Sequence, residues 1–225
     1  METSIFNYNL EKFNFTNIIL DYLGVDNLST LEVSLKDKFY ASENSLYKNM
    51  EHSPCYQQLY RCLNSEAGNR FYDAYRRFIL EVIRPQYNEP ILYQQKPTHR
   101  ILFLNTPGVS RFHRDRDYGH HLSEINYFVP QTNAYQTNTV WIESKEGLED
   151  YTPLEVEPGQ FVRFNGASLK HGAKLNETGK SRVSFDFRVI PVSKSPEKIT
   201  NTSNWNGKGK SNQLFKNAHG FVLCH

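Results

Sequence analysis

Between Arg111 and His121 the chain places three imidazoles (His113, His120 and His121) and two carboxylates (Asp115 and Asp117) within eleven positions. Imidazole and carboxylate together suit a divalent transition metal. His113 and Asp115 are two residues apart, so extended backbone would turn both side chains to one side. A third ligand, His171 in Leu169-Lys-His-Gly, would arrive from a distant strand end. Two histidines and one carboxylate on one face of an octahedron form the facial triad suited to Fe(II), with three positions left open. Spacing alone keeps Asp117, His120 and His121 as rivals, and His113 with Asp117 has the same parity. Taken by itself, the segment also reads as a polar surface loop in which Arg111, Arg114 and Arg116 pair with the two aspartates.

The segment from Ser181 to Arg188 changes that balance. Arg182 follows His171 by eleven residues and Ser184 by thirteen, on one face of a strand. A guanidinium offers a planar fork that matches a carboxylate, and a hydroxyl beside it adds a donor. Such a pair could hold the distal carboxylate of a dicarboxylate whose other end chelates the metal. Arg182, Ser184, Asp186 and Arg188 share one face, while Val183, Phe185, Phe187 and Val189 share the other. A half-solvated strand would turn its polar face to water. A strand covered by helices outside would turn it to an internal site. Arg188 is a rival anchor on the same face.

The elements that must position these groups divide in two. The first half reads as helical: Phe15, Ile18, Ile19, Tyr22 and Leu23 recur at helical spacing, and Gly24 follows as a stop. Ser53-Pro54 opens a helix carrying Tyr56, Leu59, Tyr60 and Leu63. Phe71, Tyr75, Phe78, Ile79, Val82 and Ile83 mark another that ends before Pro85. Between them, residues 27–50 are ambiguous, with strand-like alternation at Leu31, Val33 and Leu35.

After Pro85 the period changes. Strands are expected at 91–95, 99–104, 124–129, 138–143, 154–156, 160–164 and 182–189, separated by Pro, Gly and Asn breakers. Short strands at such intervals suggest a sandwich or jelly roll. The expected organisation is one domain over 1–225: a helical support region (1–88), a β core (89–192) and a C-terminal extension (193–225) rich in Ser, Lys, Asn and Gly. Phe215, Phe221, Val222 and Leu223 could dock the end of that extension.

Bulk properties narrow the function classes. The chain of 225 residues carries a net charge of +2, and it lacks a basic stripe interleaved with aromatics, so a nucleic-acid partner is not expected. Its apolar runs fall short of the roughly 20 residues needed to span a bilayer. The N-terminus does not read as a signal peptide. Cys55 and Cys62, seven apart, suit packing on one helix face better than a disulfide, which makes a reducing cytoplasm the expected setting.

With these motifs in view, the sequence resembles the Fe(II)/2-oxoglutarate-dependent oxygenases, and within them the small bacterial hydroxylases of the streptomycin-biosynthesis type. The resemblance covers roughly residues 91–191. It runs through Gln94-Gln-Lys-Pro-Thr-His-Arg100, His113-Arg-Asp-Arg-Asp-Tyr-Gly-His120 and Glu124-Ile-Asn-Tyr-Phe-Val-Pro130. It continues in Thr137-Asn-Thr-Val-Trp-Ile-Glu-Ser144, His171-Gly and Arg182-Val-Ser-Phe-Asp-Phe-Arg-Val-Ile-Pro191.

It implies a double-stranded β-helix, or jelly roll, with the N-terminal helices packed outside the sheet. It further implies His113, Asp115 and His171 as iron ligands, Arg182 with Ser184 as the 2-oxoglutarate clamp, and Asn126 as a further contact to cosubstrate or substrate. The implied reaction consumes O2 and 2-oxoglutarate, releases succinate and CO2, and hydroxylates a small polar molecule such as a sugar-containing metabolite. A carboxylate at position 115 argues against halogenation, because the related halogenases keep that coordination site free for chloride. Two other readings compete: a cupin-like metal protein, which would have no use for Arg182 and Ser184 near the metal, and a non-catalytic carbohydrate-binding β-sandwich.

Overall fold

The computed structural model describes residues 2–31, 53–106, 111–195 and 220–225. Three α-helices lie in the N-terminal part: α1 (Phe15–Leu23), α2 (Pro54–Leu63) and α3 (Gly68–Phe78). Asn14 caps α1 by accepting from the Asn17 N–H, and Gly24 ends it in the left-handed conformation at φ 65°. Pro54 occupies the first turn of α2. The helix expected to stop before Pro85 instead continues past α3 through a π-helical turn (Ile79–Ile83) and a 3₁₀ turn (Arg84–Gln86). The tighter 3₁₀ geometry takes Pro85 at its start, where a missing N–H costs nothing.

Ten strands form two antiparallel sheets. The larger contains β1 (Ser4–Asn7), β2 (Ile91–Gln94), β3 (Thr98–Leu102), β4 (Ile125–Pro130), β7 (Gln160–Phe164), β9 (Arg182–Pro191) and β10 (Phe221–Cys224). Its order is β1-β7-β4-β9-β2-β10, with β3 also paired to β9. The smaller contains β5 (Val140–Ile142), β6 (Thr152–Pro153) and β8 (His171–Ala173), in the order β6-β5-β8. At ten residues β9 is the longest strand, and it pairs with β2, β3 and β4.

The two faces of β9 divide as its alternation predicts. Val183, Phe185, Phe187 and Val189 are fully buried in one core with Phe15, Phe71, Tyr75 and Phe78 of the helices. Phe185 and Phe187 meet these rings edge-on, at centroid distances of 5.0 Å to Phe15 and 5.3 Å to Tyr75. The helices therefore pack outside the large sheet. A second core lies between the sheets, where Phe128, Val162 and Phe164 meet Ile142, Leu154 and Leu169. Arg182, Asp186 and Arg188 open on that side, into a cleft walled by both sheets.

Some expectations shift. The stretch 154–156 is not a strand: only Val156 joins a bridge, to Ala134, and the edge strand lies at β6. β1 was not expected as a strand, and β8 supplies the strand end expected at His171. β10 docks the chain's end on β2 through Phe221 and Cys224, whereas Phe215 lies outside the described residues, as do Val33 and Leu35. Cys55, Cys62 and Cys224 form no disulfide. No helix among the described residues is long and apolar enough to cross a membrane.

Candidate metal centre

His113, Asp115 and His171 converge. One ligand atom from each lies within 4.8 Å of the others, and among the described residues this is the one such cluster of three. The convergence is built from main-chain bonds. His113 and His171 form an antiparallel bridge, each N–H donating to the other's carbonyl at 2.9 Å. The Asp115 N–H donates to the Gly166 carbonyl at 2.9 Å, and Asp115 opens a 3₁₀ turn that closes at Gly119. So of His113 and Asp115 only His113 stands on paired extended backbone. Asp115 reaches the same point from the start of a turn, not by strand alternation.

Close approach also needs a small residue after His171. A Cβ at Gly172 would stand 2.9 Å from the backbone of Phe112. Arg114 ties the two ligand segments together: its Nε donates to the Ser168 carbonyl at 3.0 Å, and its Nη2 lies 3.5 Å from Glu143 Oε1. Glu143 is fully buried and accepts from the main-chain N–H groups of Gly147, Glu149 and Lys170. Burial pushes its carboxyl up, but those N–H donors and Arg114 outweigh the effect and hold it below the usual range.

The donor set fits a metal ion. His113 Nδ1 stands 2.7 Å from the Arg111 carbonyl and His171 Nδ1 3.0 Å from that of Leu169. A ring N–H at Nδ1 satisfies each carbonyl and leaves each Nε2 lone pair free, the arrangement seen in metal-binding histidines. Both Nε2 atoms face Asp115 Oδ1, at 3.3 and 3.6 Å. Oδ2 is occupied from the opposite side by Asn126 Nδ2 at 2.7 Å and by Arg188 Nε and Nη2 at 3.0 and 2.9 Å. Burial alone would raise the Asp115 pKa, yet Arg188 above all holds it well below the usual range. The His171 ring is lowered by burial against the pull of Asp115, so it stays neutral with its lone pair available.

The other expected residues fall into place around this centre. Asn126 lies on the cleft wall, and its Oδ1 is buried without a partner among the described residues. Arg182 is 4% exposed, with Nε donating to the Asn138 carbonyl at 2.9 Å and Nη1 to Ser184 Oγ at 2.5 Å. Its partners are neutral. By contrast, Arg100 pairs with Asp186 at 2.8 Å and Arg188 with Asp115. Burial therefore pulls the Arg182 pKa down to about 10. The rivals of the sequence reading are engaged elsewhere. Asp117 caps its own turn by accepting from the Arg114 N–H, and His120 pairs with Glu124 at 2.8 Å. His121 Nδ1 faces the Ser123 N–H.

Sequence reasoning missed Glu124, Glu143 and the attachment of Arg188 to Asp115. The i,i+4 spacing of His120 and Glu124 was the one local signal available. A larger open depression lies between α1 and the loops bearing Gln131 and Lys180. It contains no histidine and stands apart from the triad.

Fold and site together define a class: a mainly antiparallel β protein, helices outside, with a cluster of two histidines and one carboxylate between its sheets that could hold a metal ion. No family model matches the chain. It is similar to the streptomycin biosynthesis protein StrG of Streptomyces griseus, 40% identical over 135 residues, which is 55% of this chain and 62% of StrG. The chain thus spans about three fifths of the length of that relative. Among solved structures it is similar to the apoform of EctD from S. alaskensis, with a TM-score of 0.50 and 13% identity over 96% of this chain and 79% of EctD. A non-haem alpha-ketoglutarate-dependent carbocyclase of nogalamycin biosynthesis, SnoK, matches with a TM-score of 0.47 and 12% identity, covering 100% of this chain and 92% of SnoK. The likeness to EctD bears on the fold alone, and the match to StrG agrees with the resemblance to the streptomycin-biosynthesis type.

Proposed function

We propose that the protein is an Fe(II)- and 2-oxoglutarate-dependent oxygenase that hydroxylates a small polar metabolite, with a sugar or sugar-containing compound as the substrate class. His113, Asp115 and His171 hold the iron, and Arg182 with Ser184 holds the distal carboxylate of 2-oxoglutarate. When bound, the iron and the keto acid supply the oxidising chemistry, with O2 consumed and succinate and CO2 released.

One observation carries this reading: among three guanidiniums in one cleft, Arg182 alone makes no ion pair among the described residues. A buried charge without a counter-ion is costly, and a carboxylate ligand relieves that cost. Ser184 and the Asn138 carbonyl fix the fork, so it is oriented before a ligand arrives. Arg100 and Arg188 neutralise Asp186 and Asp115 and do not compete for the anion. The helices exclude water behind β9, while Tyr118, 57% exposed and edge-on to His113 at 5.0 Å, stands where a substrate would enter. A cupin-like protein would have no use for the unpaired Arg182.

Succinate release, scored against a panel of sugars and other polar metabolites in the presence of Fe(II), 2-oxoglutarate and O2, tests the proposal. Release is expected from the wild type and lost in His171→Ala. Arg182→Ala is expected to need roughly a hundredfold more 2-oxoglutarate, as about 3 kcal/mol from a lost buried charge pair implies. Release that is indifferent to both substitutions would sink it.

A further inference from the structure

We infer that Arg188 and Asn126 form a clamp that sets how Asp115 binds the metal: Oδ2 is held back, and the carboxylate presents Oδ1 alone. The inference rests on the proposed metal centre and extends it to the number of positions left open there.

The two carboxylate oxygens are treated differently. Oδ1 faces the Nε2 atoms of His113 and His171. Oδ2 receives three donors, one from Asn126 and two from the Arg188 fork, all between 2.7 and 3.0 Å. A carboxylate oxygen has about two lone-pair directions, so three donors leave Oδ2 no capacity for a metal ion. Asn126 and Arg188 are register partners on β4 and β9, so the clamp is one rung of the large sheet. A rung of a central sheet is rigid where a loop is not.

The rung is itself braced. Glu124 Oε2 lies 3.5 Å from Arg188 Nε, and this carboxylate is fixed by the His121 N–H at 2.9 Å and by His120 Nδ1 at 2.8 Å. Arg188 is thus held between Asp115 and Glu124, all three buried. Gly166 leaves room for Asn126, since an added Cβ there would stand 2.7 Å from its amide.

The consequence concerns coordination. Carboxylates bind divalent ions through one oxygen or both. A chelating Asp115 would take a fourth position, whereas a single oxygen leaves three open on the octahedron. A keto acid that chelates needs two of them and dioxygen the third. Arg188 and Asn126 are therefore positioning residues, acting through Asp115.

Co(II), added to iron-free protein without cosubstrate, gives a readout independent of turnover, because its d–d absorption follows coordination number and geometry. Arg188→Met and Asn126→Ala are compared with Arg188→Lys and wild type, with circular dichroism and thermal unfolding to establish folding. Both disruptive variants are expected to alter the Co(II) spectrum and to bind Co(II) about ten- to a hundredfold more weakly. Arg188→Lys, which keeps a cationic donor, should lie between them and wild type. Should Arg188→Met fail to fold, Asn126→Ala carries the test, since it removes one neutral donor. Wild-type spectrum and affinity in the folded variants would overturn the clamp. Failure of the wild type to bind Co(II) would overturn the metal centre itself, and the clamp with it.

Discussion

Asp115 and Arg182 are two buried charges handled in opposite ways. Asp115 is well supplied, with three donors on Oδ2 and the Nε2 atoms of two imidazoles before Oδ1. Arg182 has only neutral acceptors. A site finished on one side and left with an uncompensated charge on the other suits the proposed anion beside the proposed metal. The precision required is visible at Gly166, whose missing side chain makes room for the Asn126 amide. Gly166→Ala is expected to push Asn126 off Oδ2 and weaken metal binding roughly tenfold with little loss of fold. Calorimetric titration with Co(II) or Mn(II) checks this, and unchanged affinity would mean the amide shifts without consequence.

Among the elements, β9 does most of the organising, since one strand sends four apolar side chains into the helices and Arg182, Asp186 and Arg188 into the cleft. This division was legible in the sequence, because strict alternation over eight residues leaves few ways to place them. The metal triad was legible in type, but its geometry was not: Asp115 arrives by a 3₁₀ turn. β8 is three residues long and β6 two, too short for a periodic signal, yet the small sheet they flank carries His171. The Arg188–Asp115 and Arg100–Asp186 pairs join residues 73 and 86 positions apart, and sequence spacing is silent about such partners.

β3 supplies a separate consequence. His99 is 1% exposed, its ring lies 4.7 Å from that of Phe71, and neither ring nitrogen has a partner among the described residues. Burial lowers its pKa from 6.5 to about 3. The unfolded chain takes up a proton below pH 6.5 that the folded protein refuses until near pH 3, so this residue's contribution to stability falls as pH falls through that window. The slope is about 1.4 kcal/mol per pH unit, or roughly 2 kcal/mol between pH 7 and pH 5. Urea unfolding of wild type and His99→Phe at those two pH values should show a correspondingly weaker acid loss in the variant. Parallel losses would contradict the buried neutral imidazole.

Viewed whole, the molecule has three layers: helices, a large sheet and a small sheet, with the chemistry kept between the two sheets. Both ends of the chain close on the large sheet, β1 on β7 and β10 on β2, so β7 and β2 are covered rather than left as edges. The aromatic wall behind β9 keeps one face of the site dry, while Tyr118, edge-on to His113, is exposed. This layout explains how a chain with weak individual motifs builds a specific centre: the motifs lie far apart in sequence and meet only once both sheets have formed. The central claim is that this cleft binds iron and 2-oxoglutarate together. Anaerobic addition of Fe(II) and 2-oxoglutarate tests it most directly, through the visible charge-transfer band of the keto-acid chelate. The account predicts a band in the wild type, none in His171→Ala, and a diminished band in Arg182→Ala at limiting 2-oxoglutarate. A wild-type protein that gives no band, or an Arg182→Ala variant whose band is undiminished, would contradict it.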